Sequence, residues 1–220
     1  MNPKITGREI ASPFQWGSAK PGMVWHHIIP FWLLRDVWNS LVDRHIATEL
    51  AEARVAIRQY LLLCDRNLPK VDALIERMRV ENSGQKRAGH NQLLPLEVPE
   101  AHQLATTAVW PAWNSVEGPK RRSDDPRDHY FDRFTSGLTA EEAVRMRVID
   151  TLFVHLQTFA SDGTVPGPER LRALTQAASG ARPALCCDLP IRFRPEMWVD
   201  DGTGLWRKRR DGERYIAAGK

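Results

Sequence analysis

The residues best suited to chemistry are the adjacent histidines of the run Trp25-His26-His27-Ile28-Ile29-Pro30. Two neighbouring imidazoles can divide the work of phosphodiester hydrolysis. One can hold a divalent cation that polarises the phosphate and stabilises the leaving oxygen. The other titrates near neutrality and can take the proton of an attacking water. Successive strand residues point to opposite faces, so both rings reach one site only close to a strand end. Pro30 supplies such an end and biases Ile29 towards extended backbone. A histidine pair is also compatible with an ordinary structural role.

The same run resembles the opening of the His-Asn-His nuclease superfamily, including its toxin branches with a His-His-Ile-x-Pro signature. That resemblance implies a strand-strand-helix element that carries one divalent metal ion (Zn, Ni, Mn or Mg) and cleaves nucleic acid. It makes His26 the first metal ligand and His27 the general base. It then requires an asparagine opening a second strand and a ligand on the helix that follows. Asn114-Ser115-Val116-Glu117-Gly118-Pro119, followed by Asp124-Asp125-Pro126 and Asp128-His129, resembles that second half. Asn114 would orient the base, and His129 would be the second metal ligand, with Asp125 or Asp128 as the alternative to it. Val116 and Pro119 fit a short strand ending at a turn. Ser123 offers a helix N-cap with Pro126 early in the next helix, which places His129 one turn in. Asn91-Gln92-Leu93-Leu94-Pro95 with His102 competes for the same role, whereas Asn39 with His45 falls inside a helical pattern. The two halves stand far apart in the chain, so what separates them is an insertion between two strands.

Two basic runs could meet a polyanion. Lys120-Arg121-Arg122 abuts Asn114 and is the expected substrate-binding cluster, because phosphate contacts position nucleic acid. Arg207-Lys208-Arg209-Arg210 lies in the tail. Such runs are often no more than solvated faces. The chain has eight tryptophans, of which Trp25, Trp32 and Trp38 fit a core, while Trp110 or Trp113 could stack on a base.

These groups need elements to position them. Residues 1–22, rich in Pro, Gly and Ser, form an irregular lead-in, and residues 23–29 form a brief strand. Leu34, Val37, Trp38, Leu41, Leu50, Ala53, Ile57 and Leu61 recur at three- and four-residue steps, which predicts helix from Phe31 to about Cys64. A shorter helix over roughly 71–80 completes a helical insertion spanning 31–80, and a polar loop follows over 82–89. Residues 90–134 are proline-punctuated and loop-rich. Thr139-Ala140-Glu141-Glu142 is a capping box for a helix running to about Ala160. Another helix is expected over 169–178. Asp201-Gly202 and Asp211-Gly212 turns separate short runs at 197–199, 205–207 and 214–216, which predicts a β-meander within 190–220. The sum is one α+β domain, predominantly helical, with a small strand-strand-helix site and a C-terminal β-meander.

With 220 residues and 42% hydrophobic content, the chain can bury a real core. Its net charge of +4 is compatible with a polyanionic partner. Three cysteines without Cys-x-x-Cys spacing argue against a disulfide framework or a zinc–cysteine site. The start of the chain has no signal-peptide pattern and no run is apolar enough for a membrane span. The expectation is therefore a cytoplasmic protein, or one delivered into a target cell without a signal peptide. By resemblance the activity is a metal-dependent endonuclease, with DNA favoured, of the kind used as an antibacterial toxin or type VI effector with a cognate immunity protein. The rival expectations are a non-catalytic nucleic-acid-binding module and a protein-interaction (immunity or adaptor) protein.

Overall fold

Strand β1 (Met23–His27) runs directly into helix α1 (Phe31–Thr48), and the turn between them decides where the histidines go. The Pro30 carbonyl accepts from the amides of Leu33 (3.1 Å) and Leu34 (3.3 Å), so the residue that ends the strand also opens the helix. The computed structural model describes residues 19–48, 51–64, 73, 75, 107–126, 130–161, 167–185, 190–200 and 202–213. The expected loop at 82–89, Asn91, His102, Asp128, His129, Cys186, Cys187, most of the helix expected at 71–80, and the run at 214–216 lie outside those residues.

The helical reading of 31–64 holds as two helices, α1 and α2 (Ala51–Cys64). Leu33, Leu34, Val37, Trp38, Leu41 and Val42 bury one stripe of α1, and Ala53, Ala56, Ile57, Tyr60 and Leu61 bury one stripe of α2. Helix α3 (Ala140–Ala160) starts at the expected capping box. Thr139 Oγ1 accepts from the Glu142 amide at 3.2 Å, and Glu142 Oε2 accepts from the Thr139 amide at 2.8 Å. Helix α4 (Pro168–Leu185) is longer than its pattern predicted. Its buried stripe continues from Leu171, Leu174 and Ala178 through Ala181 to Leu185, past Pro183. Helix α2 packs on α4, α4 on α3, and α3 on α1, giving a helical layer with one shared apolar core. No helix among the described residues is long and apolar enough to cross a membrane.

Strand β2 (Ser115–Pro119) pairs antiparallel with β1, with His26 opposite Val116 and His27 opposite Ser115. A parallel bridge from Val116 to Ile191 extends this pair on its other side. Strands β3 (Trp198–Asp200) and β4 (Trp206–Lys208) form a separate antiparallel hairpin, so two runs of the expected meander are present. Trp113 Nε1 donates to the Leu63 carbonyl (2.9 Å) and Tyr60 Oη donates to the Ala108 carbonyl (2.8 Å). These two buried bonds fasten the end of α2 to the segment that feeds β2. The architecture is α+β, with the small sheets set against the helical core.

The helix expected after Ser123 is a point of difference. Residues 120–126 and 130–139 are non-helical. Ser123 instead donates its amide to the Trp206 carbonyl (2.8 Å), and Trp206 donates to the Arg121 carbonyl (3.1 Å). Asp124, expected in the first turn of a helix, accepts from the Lys208 amide at 2.9 Å. A strand-like partner from the tail has taken the place of local capping.

Candidate functional site

Asn114 sits at the junction of the 3-10 turn 112–114 with β2, fully buried. Its side-chain Oδ1 accepts from the Ile29 amide at 2.6 Å, and its Nδ2 donates to the Ile29 carbonyl at 3.0 Å. Its own carbonyl accepts from the Ile28 amide at 2.9 Å. One residue therefore partners both backbone polar groups of buried Ile29, just after the histidine pair. Only a primary amide offers one acceptor and two donors at that reach. The side chain grips the turn and not the His27 ring, so Asn114 orients the histidines through the backbone.

The two histidines face opposite sides of the β1–β2 pair, and this separates their environments. His27 is 6% exposed. Its Nε2 lies 3.1 Å from the Val109 carbonyl, and its ring centroid stands 3.7 Å from that of Trp110 and 5.8 Å from that of Phe31. This is the packing of a core residue. His26 projects on the other face, over Gly118 and beside Trp198. An added Cβ at Gly118 would lie 2.5 Å from the Trp198 ring and 3.0 Å from His26 Cδ2, so this close approach requires glycine.

His26 Nε2 donates to the Pro119 carbonyl at 3.0 Å. That bond selects the tautomer with its proton on Nε2 and leaves the lone pair on Nδ1. Nδ1 has no partner among the described residues. Burial is the first cause that lowers the His26 pKa below 6.5, and the Arg122 cation adds to it; the Pro119 carbonyl, Asp132 and Asp125 oppose them. The result is an imidazole that stays neutral into mildly acidic solution.

Arg122 and Asp132 act on this ring electrostatically, and Asp124 and Lys208 join them in one network. The Arg122 side chain is fully buried and grips Asp132 in a bidentate pair (Nη1–Oδ2 2.7 Å, Nη2–Oδ1 3.1 Å), with Nε on Asp124 Oδ1 at 3.1 Å. Its Cζ lies 4.8 Å from the centroid of the Trp198 ring. Lys208 Nζ also contacts Asp132. Burial alone would favour loss of the Arg122 proton, but the paired carboxylates override it and hold the group charged. The Asp132 amide donates to the Ile28 carbonyl at 2.8 Å, tying this network to the turn that Asn114 grips.

The expected site residues thus separate. The structure brings Asn114, His26 and Arg122 around one end of β1–β2, with Asp125 close enough to act electrostatically on His26. It sends His27 to the opposite face. Arg122, expected to bind substrate, is committed to Asp132 and Asp124, whereas Lys120 and Arg121 are exposed. Among the described residues, no group of three His, Cys, Asp or Glu side chains could hold a metal. Of the expected ligands His26, Asp125 and His129, the described residues include the first two. They do not by themselves make up a metal centre. Asp132, Trp198 and Lys208 were not singled out for this site in the sequence. Lys208 lies in a basic run, but nothing local marks the aspartate or the tryptophan as its companions.

Comparison of the chain with protein-family models, with curated proteins and with solved structures returns no match.

Proposed function

We propose that this chain hydrolyses nucleic-acid phosphodiester bonds, with His26 as the proton-accepting base. The observation that carries the reading is the Asn114 clamp on Ile29, which rigidifies the turn beside the histidine pair. A buried amide that holds both backbone groups of one residue makes sense where a neighbouring side chain must be held in fixed geometry. His26 Nδ1 takes a proton from water, the water oxygen bonds to phosphorus, and the P–O bond to the leaving oxygen breaks. The leaving oxygen takes its proton from solvent. The Nε2–H bond to Pro119 stabilises the imidazolium that forms.

This assigns the base to His26, where the resemblance alone gave it to His27. The reason is access: His27 is packed between Trp110 and Phe31, and His26 presents a lone pair beside a charged network. The preference for DNA, the antibacterial role and an immunity partner rest on the resemblance.

The test is cleavage of plasmid and of RNA by chelator-stripped protein, with Zn, Ni, Mn or Mg added back separately. His26→Ala should lower turnover by about 10²–10⁴-fold, the usual contribution of a general base. His27→Ala should act mainly on stability. Near wild-type turnover by folded His26→Ala would overturn the assignment. If no nucleic acid is cut under any condition, a non-catalytic nucleic-acid-binding module and a protein-interaction protein are the readings that remain.

A further inference from the structure

Two basic runs that are remote in sequence meet in the fold. The Arg122–Trp206 bridge, with the Ser123–Trp206 and Trp206–Arg121 hydrogen bonds, lays the segment after β2 along β4. Lys208 continues the contact through its amide to Asp124 and its ammonium to Asp132. The cations of this joined surface then divide into two sets. Arg122 and Lys208 are spent on Asp132, and Arg207 is paired with Glu213 (2.6 and 2.8 Å). Arg209 donates to the Glu196 and Trp198 carbonyls. Lys120, Arg121 and Arg210 are exposed, and among the described residues their side chains have no acidic partner. Arg121 lies beside the start of β4, and Arg210 follows two residues beyond its end. Tyr130 stands 75% exposed two residues before Asp132.

We propose that the β3–β4 hairpin and residues 120–126 and 130–132 together form one surface for the nucleic-acid backbone, with Lys120, Arg121 and Arg210 as the phosphate contacts and Tyr130 as a stacking platform for an unpaired base. The proposal rests on the hydrolase reading for its partner, because this surface adjoins the His26 network. The paired cations fix the scaffold, and the unpaired ones can release counterions on binding. Tyr130 precedes Asp132, which Arg122 and Lys208 hold against β4, and its exposed ring can stack on a base. Asp125 and Asp211 are exposed acids of the same segments and oppose binding locally.

The experiment uses the full chain carrying His26→Ala, so that bound nucleic acid is not cut. Fluorescence anisotropy with a labelled duplex and a labelled single strand is followed over a salt series. Lys120→Ala, Arg121→Ala and Arg210→Ala should each reduce the duplex salt slope by about 0.9. Arg210→Glu should weaken binding further, and Asp211→Asn should strengthen it. Tyr130→Ala should weaken single-strand binding roughly tenfold with the slope unchanged. An unchanged slope for both folded Arg210 variants overturns the shared surface, even if cleavage still depends on His26. Reduced slopes beside cleavage that survives His26→Ala keep the surface and overturn the hydrolase reading. Residue-dependent binding to phosphatidylserine vesicles with none to nucleic acid also overturns the proposal.

Discussion

Replacing Asn114 by Ala isolates the clamp that holds the site. The substitution removes the 2.6 Å and 3.0 Å bonds and leaves the Ile29 N–H and C=O without partners at a residue that is 0% exposed. Each buried polar group left unsatisfied costs about 1–3 kcal/mol, so the expected loss is about 2–6 kcal/mol. That is a large share of the roughly 5–15 kcal/mol that stabilises an ordinary domain. Urea unfolding measures it as a fall in midpoint with little change in slope. Asn114→Asp sharpens the test. Its carboxylate can still accept from the Ile29 amide, but its second oxygen then faces the Ile29 carbonyl. Protonation restores a donor there, so the folded-state pKa of this Asp is raised and its deficit relative to wild type should shrink as pH falls. A loss below about 0.5 kcal/mol for Asn114→Ala, the range of ordinary surface substitutions, would refute the clamp.

The remaining predictions concern its surroundings. His26 should titrate below 6.5 by NMR; because its folded pKa is depressed, its contribution is complete above 6.5 and stability falls as pH drops through that value until the folded ring protonates. A midpoint above 6.5 would contradict the burial and Arg122 argument. Gly118→Ala should destabilise by about 1–3 kcal/mol and shift the His26 ring resonances, since the new methyl meets buried Trp198; unaltered His26 shifts would show that the ring is not seated there. Asp132→Ala should cost up to about 3–5 kcal/mol by leaving buried Arg122 without its bidentate partner, with only Asp124 still on Nε, measured by urea unfolding. The Glu213 carboxyl, held by Arg207 and by the Arg210 amide, should titrate at about 2, and Arg207→Ala should return it towards 4.5.

Where the signal was local, the sequence reading succeeded. Pro30 ending β1, Asn114 opening β2 and the Thr139–Glu142 capping box are short-range features, and each is present in the fold. The choice of Asn114 placed the partner strand correctly because Val116 and Pro119 bound a strand-sized run. What it missed were local readings that a distant residue overrides. Ser123 and Pro126 look like a helix start, but Trp206 and Lys208 claim the amides and carboxylates that a helix would use. The face of each histidine depends on what packs there, Trp110 for one and Gly118 with Trp198 for the other, and no period in the sequence carries that information. Arg122 reads as one of three equivalent surface cations; burial between Asp132 and Trp198 makes it unlike its neighbours.

The Ile29–Asn114 clamp also bears on when the site comes into being. It joins residues 85 apart in the chain. Closing a loop of that length costs about 4 kcal/mol in chain entropy before any contact across it is made. Helices α1 and α2 lie inside this loop and draw on neighbouring residues, so they can form first and shorten the effective span. The Tyr60–Ala108 and Trp113–Leu63 bonds then bring the β2 segment to the end of α2, where β1 already waits at the start of α1. Pairing of β1 with β2 becomes a late step, and substitutions such as Val116→Ala should accelerate unfolding while leaving the folding rate nearly untouched. A partly folded chain would hold its helices before it held His26 and Asn114 in register, so the geometry of the site arrives only with the completed fold.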